Sequence, residues 1–496
     1  MLNSPSWVVI ATALAAAHLV GIVSATSALM SARTPQGSVA WILSLIFAPW
    51  VAVPLYWLFG PSRFEGYVSA RRGEESTLRD LLPDLSMDKE PYSSARPNSG
   101  TGFSAIERLA RLPILEGNET EALHNGEETY ESILQGMSRA QKYLLVQFYI
   151  LRDDATGRRF RDALIECAQR GVQVHLLVDQ VGSFGLPKRY FKELREGGVA
   201  AENFSSMRRW PARLQLNFRN HRKVVVVDGV EAWTGGINVG DEYLGRDPDT
   251  SPWRDTHLRI RGPAALGLQL TFVEDWHWAS KEVLQLDWTP RTADSDGADA
   301  APAPNGAVGE AQSPREAVLV IPSGPSDPVE TASLLMQHAI HTSNERMWIA
   351  SPYFVPDRSV QDALRLAVLR GVDVRVLIPR RADFRLIDIA GFAFYGDLLE
   401  AGVRIFRYRR GFLHCKTAVV DDSAAAVGTV NLDNRSLRLN FEVTAVLLGK
   451  ESIATLTRHF EEDFSESDEL RWEEVTGRSL PRRVASRLVY LFAPIL

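Results

Sequence analysis

The chain of 496 residues carries the pattern His-x-Lys-x-x-x-x-Asp twice, and each copy is followed by a small-residue turn that ends in asparagine. The residues of the two copies are His221, Lys223, Asp228 and Asn238, then His414, Lys416, Asp421 and Asn431. Neutral imidazole is a competent nucleophile near neutral pH, and lysine supplies positive charge. The duplicated pattern therefore predicts phosphoryl transfer on a phosphodiester through a covalent phosphohistidine.

Two copies meet a geometric requirement of in-line displacement. The nucleophile approaches phosphorus from one face, while an acid protonates the leaving group on the opposite face. One histidine cannot do both, so a pseudo-symmetric pair supplies the nucleophile and the acid. After the first step the second histidine has given up its proton, and it can act as base on the incoming hydroxyl.

The other pattern residues suit an anionic reaction centre. We expect Lys223 and Lys416 to lie on the non-bridging oxygens, where many phosphoryl-transfer enzymes use a metal ion. Asn238 and Asn431 would add amide donors, and the glycine turns offer backbone N–H groups to the same oxygens. The sequence therefore predicts no metal ion and no other cofactor.

Two further carboxylates are candidates for orienting the histidines. A nucleophilic histidine usually needs its other ring nitrogen held by an acceptor. Asp255 and Glu442 qualify, because each begins a later strand of the unit that contains one motif histidine. Asp228 and Asp421 stand too far along their strands to act on the same phosphorus. We expect each of them to pair with a basic group and to fix the backbone of its motif.

The surroundings of the two motifs also repeat. Asp-Ala-Leu followed by Arg-Gly-Val-x-Val occurs at 162–174 and again at 362–374, which indicates duplicated domains. Apolar runs alternate with helical periods, so the fold class is α/β, with two α-β-α domains forming one pseudo-symmetric active site. The predicted helices are 127–140, 157–170, 331–343 and 360–370, and the predicted strands are 143–150, 172–178, 224–227, 347–353, 372–378 and 417–420.

Composition divides the chain into six segments. They are two hydrophobic spans within 1–62, a polar linker at 63–118, the first domain at 119–291, a low-complexity linker at 292–315, the second domain at 316–480 and a basic, apolar tail at 481–496. The tail has apolar residues at helical spacing. It either lies on a membrane surface or docks on the core of the protein itself.

The first sixty residues predict a membrane hairpin. No charged residue precedes Arg33, and a second uncharged stretch ends at Arg63, so helices at about 7–30 and 39–59 are each long enough to cross a bilayer. A cleaved signal peptide would need a basic start, which is missing, and two buried core helices are the other alternative. Basic residues follow the second span, so the positive-inside rule predicts a multi-pass protein of the inner (plasma) membrane with cytoplasmic catalytic domains.

Charge and cysteine content limit the other function classes. The net charge of −6 argues against a protein that coats nucleic acid, and two cysteines cannot build a disulfide framework. Basic residues nevertheless cluster around both motifs and would focus an anionic substrate. They are Arg208, Arg209, Arg213, Arg219, Arg222, Arg404, Arg407, Arg409, Arg410, Arg435 and Arg438.

Longer motifs carry a resemblance to a known family. They are Asn217-Phe218-Arg219-Asn220-His221-Arg222-Lys223, Trp253-Arg254-Asp255-Thr256-His257, Ser351-Pro352-Tyr353-Phe354, Asn431-Leu432-Asp433 and Asn440-Phe441-Glu442. With these motifs and its N-terminal hairpin, the chain resembles the phospholipase D superfamily and, within it, the bacterial cardiolipin synthases. The resemblance covers essentially everything except the two linkers. Gly236 and Thr429 stand where that family commonly has serine.

The resemblance implies a reaction and a set of roles. A phosphatidyl group would pass from one phosphatidylglycerol to another in the membrane, giving cardiolipin and glycerol. The His, Lys and Asp residues of both motifs would be active-site residues. In the superfamily the N-terminal histidine is often the nucleophile, so we expect His221 to attack and His414 to protonate the leaving alcohol.

Other functions stay open at this point. Water as the acceptor would make the chain a hydrolytic phospholipase D, and phosphatidylethanolamine could replace phosphatidylglycerol as the donor. A nuclease of the same superfamily is disfavoured by the two spans and the acidic charge, and a non-enzymatic scaffold would not need two complete motifs. The residue patterns leave the oligomeric state open.

Overall fold

The computed structural model describes residues 6–31, 35–60, 102–205, 218–246, 251–292 and 315–493. Its helices are α1 (Ser6–Ser31), α2 (Pro35–Phe47), α3 (Pro49–Phe59), α4 (Gly102–Ala110), α5 (Asn125–Arg139), α6 (Ala155–Gln169), α7 (Lys188–Glu196), α8 (Ala265–Ser280), α9 (Thr331–Thr342), α10 (Arg358–Leu369), α11 (Arg385–Gly391), α12 (Tyr395–Glu400), α13 (Asn434–Arg438), α14 (Lys450–Ser465), α15 (Trp472–Thr476) and α16 (Leu480–Tyr490).

The strands alternate with these helices along the chain. They are β1 (Leu115–His124), β2 (Tyr143–Phe148), β3 (Gln173–Asp179), β4 (Ala200–Phe204), β5 (Arg219–Asn220), β6 (Val224–Val227), β7 (Glu231–Gly235), β8 (Trp253–Arg254), β9 (Thr256–Arg261), β10 (Glu316–Ser323), β11 (Arg346–Ala350), β12 (Phe354–Val355), β13 (Asp373–Pro379), β14 (Arg404–Tyr408), β15 (Phe412–Leu413), β16 (Thr417–Val420), β17 (Ala424–Gly428), β18 (Leu432–Asp433), β19 (Asn440–Leu447) and β20 (Ser467–Glu469).

One large sheet joins the two units through an antiparallel pair, β1 and β10. Outward from β1 the strand order is β9, β7, β6, β2, β3, β4, and outward from β10 it is β19, β17, β16, β11, β13, β14. In each unit the strand after the first long helix pairs in parallel with the next strand and antiparallel with the motif strand. The predicted α/β class with two duplicated domains is therefore confirmed.

Both faces of the sheet are covered, and the motif strands show why their sequences are apolar throughout. Val224 and Val226 belong to a core shared by the two units, where the inner helices α8 and α14 lie. Val225 and Val227 belong to the outer core of the first unit, under α5 and α6. Because these strands are buried on both faces, their sequences are continuously apolar and do not alternate between apolar and polar residues. The predicted bounds 224–227 and 417–420 match β6 and β16 without change.

The other predicted elements are present with small shifts at their ends. Helices expected from residues 157 and 360 begin two residues earlier, as α6 and α10. The reason is a capping aspartate before each of them: Asp154 accepts a hydrogen bond from the Gly157 amide, and Asp357 accepts one from Val360. A cap satisfies an amide that has no partner within the helix, so it sets the first turn ahead of the apolar period.

The predicted two-span hairpin requires a correction. In the part of the chain that the structure describes, one helix is long and apolar enough to cross a membrane, at Val8–Met30 within α1. The second stretch is divided into α2 and α3, because Pro49 has no amide hydrogen to continue the first helix. With 13 residues α2 is about 20 Å long, shorter than a bilayer core of about 30 Å. Both short helices pack against α1, and Tyr56 donates a hydrogen bond to Ser27.

The predicted linkers coincide largely with residues outside the described ranges, namely 61–101 and 293–314. The end of the first linker is structured, however, since α4 and the start of β1 lie within 63–118. In the tail, α16 docks on the second unit, where Gln361 donates to the Tyr490 hydroxyl. Leu488 on that helix and Leu491 directly after it are exposed, and residues 494–496 lie outside the described ranges.

Candidate active site

The residues just before each motif strand form a short strand that pairs with a strand of the other unit. The short strand β5 pairs with β19 of the second unit, and β15 pairs with β8 of the first. The backbone amide of His221 donates to the Phe441 carbonyl at 2.9 Å, and that of His414 donates to the Arg254 carbonyl at 2.7 Å. Both motif histidines are thus fixed at the junction of the two units.

The orienting carboxylates also act across this junction. The His221 Nδ1 atom lies 2.9 Å from Glu442 Oε2, and His414 Nδ1 lies 2.7 Å from Asp255 Oδ2. Glu442 directly follows Phe441, and Asp255 directly follows Arg254. The backbone and the ring of each histidine are therefore bound by two consecutive residues of the other unit. The sequence supplied both carboxylates as candidates but placed each within the unit of one motif, whereas each holds the histidine of the other unit. Since Nδ1 is engaged, Nε2 is the nitrogen left for chemistry.

Burial and charge set the protonation of these groups. Burial, together with Lys223, lowers the pKa of His221 to about 4 against the opposing effect of Glu442. Burial and Lys416 lower the pKa of His414 to about 3. Burial alone would favour neutral carboxyls, but the charges around them hold the pKa of Asp255 and of Glu442 below the usual range. Near pH 7 the site therefore has two neutral imidazoles, each bonded to a carboxylate.

The two predicted lysines are buried in the same field. Lys223 Nζ donates to the His221 carbonyl at 2.6 Å, and Lys416 Nζ donates to the His414 carbonyl at 2.5 Å. Burial lowers the pKa of both lysines, and the charge of Lys416 lowers that of Lys223 further. A bound phosphate anion would relieve this unfavourable charge. The pair is therefore suited to binding a phosphodiester.

The predicted asparagines differ from each other. Both ends of the Asn238 carboxamide are used within the protein, since Oδ1 accepts from the Ile150 amide at 3.1 Å and Nδ2 donates to the Tyr243 hydroxyl at 2.5 Å. Asn431 is also buried, but its Oδ1 has no hydrogen-bond partner among the described residues. The Asn431 side chain is the better candidate for contact with a bound ligand.

The motif aspartates bind backbone amides rather than the basic groups that we expected. Asp228 accepts hydrogen bonds from the amides of three consecutive residues, which are Gln141, Lys142 and Tyr143. Asp421 does the same with Asn344, Glu345 and Arg346. Four strand residues lie between each of these aspartates and its lysine, which places the two about 16 Å apart along the strand. They tie the end of the motif strand to the start of its neighbour and do not reach the histidines.

Comparison with known proteins identifies the family. The family described as "Cardiolipin synthase, PLD-like domain" matches at 133–250 and 336–464, and the one described as "Phospholipase_D-nuclease N-terminal" matches at 10–61. Cardiolipin synthase A of Pseudomonas putida KT2440 is 42% identical over 482 residues, which are 97% of this chain and 96% of that protein. Cardiolipin synthase A of Pseudomonas aeruginosa LESB58 is 43% identical over 484 residues, 97% of this chain and 94% of that protein.

The chain belongs to the cardiolipin synthase family of the phospholipase D superfamily. The resemblance carried by its motifs is thereby confirmed. Among solved structures, the phosphatidylserine synthase of Haemophilus influenzae Rd KW20 superposes with a TM-score of 0.59. It covers 80% of this chain and 100% of its own at 16% identity, so the likeness shows a shared fold.

The second residue of each glycine turn, Gly236 or Thr429, has a role that the sequence did not predict. Thr429 donates from Oγ1 to Glu442 at 2.5 Å, and its carbonyl accepts from His221 Nδ1 at 3.1 Å. Gly236 is its counterpart, and a Cβ atom there would lie 2.1 Å from Asp255 Oδ1. These two equivalent positions therefore lie directly against the orienting carboxylates.

An aromatic residue next to the first motif had no signal in the sequence. The Tyr149 ring lies 5.0 Å from the His221 ring, and Lys223 Nζ lies 5.6 Å from its centroid. Tyr149 follows β2 directly, so only the fold brings it to the motif. A cation over a tyrosine face is attracted by the ring quadrupole, which helps to keep Lys223 charged.

Two buried arginines support the orienting carboxylates from behind. Arg222 donates to the Glu442 carbonyl and is paired with Asp275 on α8 at 2.8 Å. Arg254 donates to the Asp255 carbonyl at 2.6 Å and to Asp463 on α14 at 2.8 Å. Both inner helices thus anchor the junction. Arg222 therefore holds the site in place and is not part of an exposed field that attracts substrate.

The predicted focusing role of the basic clusters applies to few of their members. The arginines that precede the second motif are paired with acidic residues of the second unit; these are Arg404, Arg407, Arg409 and Arg410. Arg438 pairs with Asp357, and the first three arginines of the set lie outside the described residues. Arg219 and Arg435 do lie beside Tyr149, and burial together with Arg219 lowers the pKa of Arg435. This close pair of cations is where an anion would be attracted.

Proposed function

We propose that the chain is a cardiolipin synthase that transfers a phosphatidyl group from one phosphatidylglycerol to another and releases glycerol. One observation carries the chemistry: two buried histidines, each held at Nδ1 by a carboxylate of the other unit, share one site with two buried lysines. The name of the curated relatives supports the product.

In the first half-reaction His221 Nε2 attacks the phosphorus of the donor lipid. The bond from phosphorus to the glycerol oxygen breaks, and glycerol leaves with the proton of His414 Nε2. His414 acquires that proton when the anionic lipid binds, since a negative charge nearby favours the imidazolium form. Lys223 and Lys416 stabilise the non-bridging oxygens as charge develops.

The second half-reaction reverses these roles. A primary hydroxyl of the second phosphatidylglycerol gives its proton to His414 Nε2, and its oxygen attacks the phosphorus on His221. The bond between phosphorus and His221 Nε2 then breaks and cardiolipin leaves. His221 is neutral again, and His414 becomes neutral when it releases the hydroxyl proton to solvent. Water in place of the hydroxyl would give phosphatidic acid, so the acceptor alone separates a synthase from a hydrolase.

We propose further that α1 anchors the protein in the inner membrane and that the catalytic units face the cytoplasm. The basic residues that follow the second hydrophobic stretch support this orientation, by the positive-inside rule. Cys167 and Cys415 are buried, so a cysteine introduced at the exposed Lys192 would be the accessible thiol. An impermeant maleimide should label Lys192→Cys in inverted vesicles and leave it unlabelled in intact cells. Labelling in intact cells would show that the catalytic units face away from the cytoplasm.

The decisive assay supplies radiolabelled phosphatidylglycerol in mixed micelles with EDTA, beside a His221→Ala control. Cardiolipin and glycerol that are absent with the variant would establish transfer between lipids. Phosphatidic acid alone would make the chain a hydrolytic phospholipase D. A parallel incubation with DNA tests the nuclease alternative, for which we expect no cleavage.

A further inference from the structure

The second unit contains an apolar cavity of about 510 Å³ on the outer side of its sheet, under α9 and α4. Lys416 and Gly428 lie at one end of its lining, and Asn344 and Ser423 lie at the other. The walls between these ends are mainly hydrocarbon, although His338, Thr417 and Thr444 also line them. The apolar residues include Phe103, Leu335, Met336, Ala339, Ala426 and Val446.

The same place in the first unit is filled by one side chain. Trp233 on β7 pairs with Val225 of the motif strand, as Ala426 on β17 pairs with Ala418. The indole of Trp233 is fully buried. Its Nε1 atom donates to Ser132 Oγ on α5 at 2.9 Å.

The helix above this position changes together with the strand. Trp233 lies so close to α5 that a Cβ atom at Gly136 would be 2.1 Å from the ring. Leu144 and Met347 pair with equivalent residues of the two motif strands, which aligns Ser132 with Leu335 and Gly136 with Ala339. The second unit therefore replaces an indole, its polar partner and a glycine by alanine, leucine and alanine. All three replacements line the cavity.

These exchanges leave a space that a protein interior would ordinarily fill. Protein interiors are close-packed, whereas this space stays unfilled and is open to the surface beside Asn344 and Ser423, which are exposed. Ala426 retains partial exposure to the cavity, while its counterpart has none. The duplicated fold shows that a filled arrangement exists for the same backbone. The cavity is thus a built feature of one unit.

The position of the cavity indicates what occupies it. Side chains alternate along a strand, so Lys416, Ala418 and Val420 share one face of the motif strand. Ala418 and Val420 line the cavity, which therefore runs along the strand from the phosphate-binding lysine. An apolar channel that begins at a buried cation fits a molecule with an anionic phosphate at one end and a hydrocarbon chain at the other.

We propose that this cavity binds one acyl chain of the phospholipid substrate while its phosphate lies at Lys416. The proposal rests on the proposed phosphatidyl transfer and adds where one of the lipids is held. The equivalent position of the first unit is closed by Trp233, so the two lipids of the reaction meet different surfaces.

The test places an indole in the cavity, as Trp233 does at the equivalent position of the first unit. Ala426→Trp and Leu335→Trp introduce an indole from opposite walls, so the result does not depend on one variant folding. Leu369→Trp adds an indole at an exposed position and serves as the matched control. The full-length protein is assayed with dipalmitoyl- and dihexanoyl-phosphatidylglycerol, and kcat/KM is measured for each. Each methylene that is removed from water changes binding about fourfold, so we expect the preference for dipalmitoyl lipid to fall by about tenfold or more in both cavity variants.

A second readout does not depend on turnover. Phosphatidylglycerol with a diazirine on one palmitoyl chain is bound to the wild-type protein and irradiated, and the labelled peptides are mapped. We expect label on α9 or β17, lost in Ala426→Trp and retained in Leu369→Trp. Label at the cavity from a protein that makes no cardiolipin would support the acyl site and reject the proposed reaction. Cardiolipin formation with label elsewhere, and an unchanged chain-length preference in both cavity variants, would overturn the acyl site and leave the reaction standing.

Discussion

Glu442, in the second unit, accepts a hydrogen bond from the Nδ1 atom of His221, in the first, at 2.9 Å. Asp255 and His414 repeat the relationship in the opposite direction at 2.7 Å. Neither unit alone contains a histidine together with the carboxylate that orients it. The active site is therefore a product of the junction, and the strand pairs β5·β19 and β8·β15 hold it there.

The crossed pairing predicts which variants behave alike. Asp255→Asn should match His414→Ala, and Glu442→Gln should match His221→Ala, because each amide fails to fix the histidine of the other unit. Loss of an acid or a nucleophile should reduce kcat by about two to four orders of magnitude. A phosphatidyl ester of p-nitrophenol separates the two roles, since its leaving group needs no proton. Because His414 is still needed as the base in the second half-reaction, we expect that substrate to restore only the first-turnover release of p-nitrophenol in His414→Ala and Asp255→Asn, and not in the other two variants. If the ester failed to rescue Asp255→Asn, so that this variant behaved like His221→Ala of the same unit, the crossed assignment would be contradicted.

The depressed histidine pKa values predict an unusual pH dependence. The pKa of His414 is about 3, so near pH 7 its acid form arises by uptake of a proton as the lipid binds. The value of kcat/KM should rise as the pH falls from 7, by up to about tenfold per unit, and level off near pH 4. There His221, whose pKa is about 4, becomes protonated and can no longer attack. The p-nitrophenyl ester needs no acid and should show a flat profile over that range. A rise of the same slope with both substrates would exclude His414 as the source of the proton.

The same shifts affect stability, and the assay has to separate the two effects. The pKa of each buried motif histidine is lowered from 6.5 in the folded protein. The unfolded chain therefore binds more protons, and the stability that these neutral histidines provide is present above pH 6.5 and is lost as the pH falls towards 4. Activity should be measured by brief exposure to each pH, with recovery at pH 7 as the control for unfolding.

How far the sequence determines this fold is shown best by the motif strands. The bounds of β6 and β16 follow from four consecutive apolar residues, because a strand covered on both faces leaves a continuous hydrophobic signal. The start of α6 was placed late, since the apolar period begins after the Asp154 cap. The second hydrophobic stretch is not the single continuous helix that was predicted, because hydropathy counts Pro49 as tolerable, whereas the missing amide divides the stretch into two short helices.

For the site, the sequence predicts which residues take part, but only the fold shows which of them pair with each other. The sequence supplies both histidines, both lysines and both orienting carboxylates of the junction as candidates, since a phosphodiester demands a nucleophile, an acid and a cation. It could not supply the partners, because the pairing of His221 with Glu442 depends on two-residue strands that meet across more than two hundred residues of chain. The difference between Trp233 and Ala426 is visible in the repeat, but its meaning depends on the helix packed above it.

The buried lysines predict catalysis that does not depend on an added metal ion. Lys223→Met and Lys416→Met keep the length of the side chain and remove its charge, and each should reduce kcat by about two to three orders of magnitude. Lys192→Met at an exposed position is the matched control and should leave kcat unchanged. EDTA should leave the wild-type rate unaltered. A rate that EDTA abolishes and a divalent cation restores would show that the lysines do not carry the charge stabilisation alone.

The packing of Gly236 against Asp255 predicts that a single methyl group disables the acid. A Cβ atom at Gly236 would lie 2.1 Å from Asp255 Oδ1, so Gly236→Ala has to displace that carboxylate and with it the ring of His414. We expect the loss to resemble that of Asp255→Asn, with kcat for phosphatidylglycerol reduced by at least about a hundredfold and first-turnover release of p-nitrophenol from the ester retained. Gly185→Ala is the control, because a Cβ atom there meets nothing within 4 Å. Equal losses on both substrates would mean that the methyl group disrupts the fold around β9 and not the acid alone.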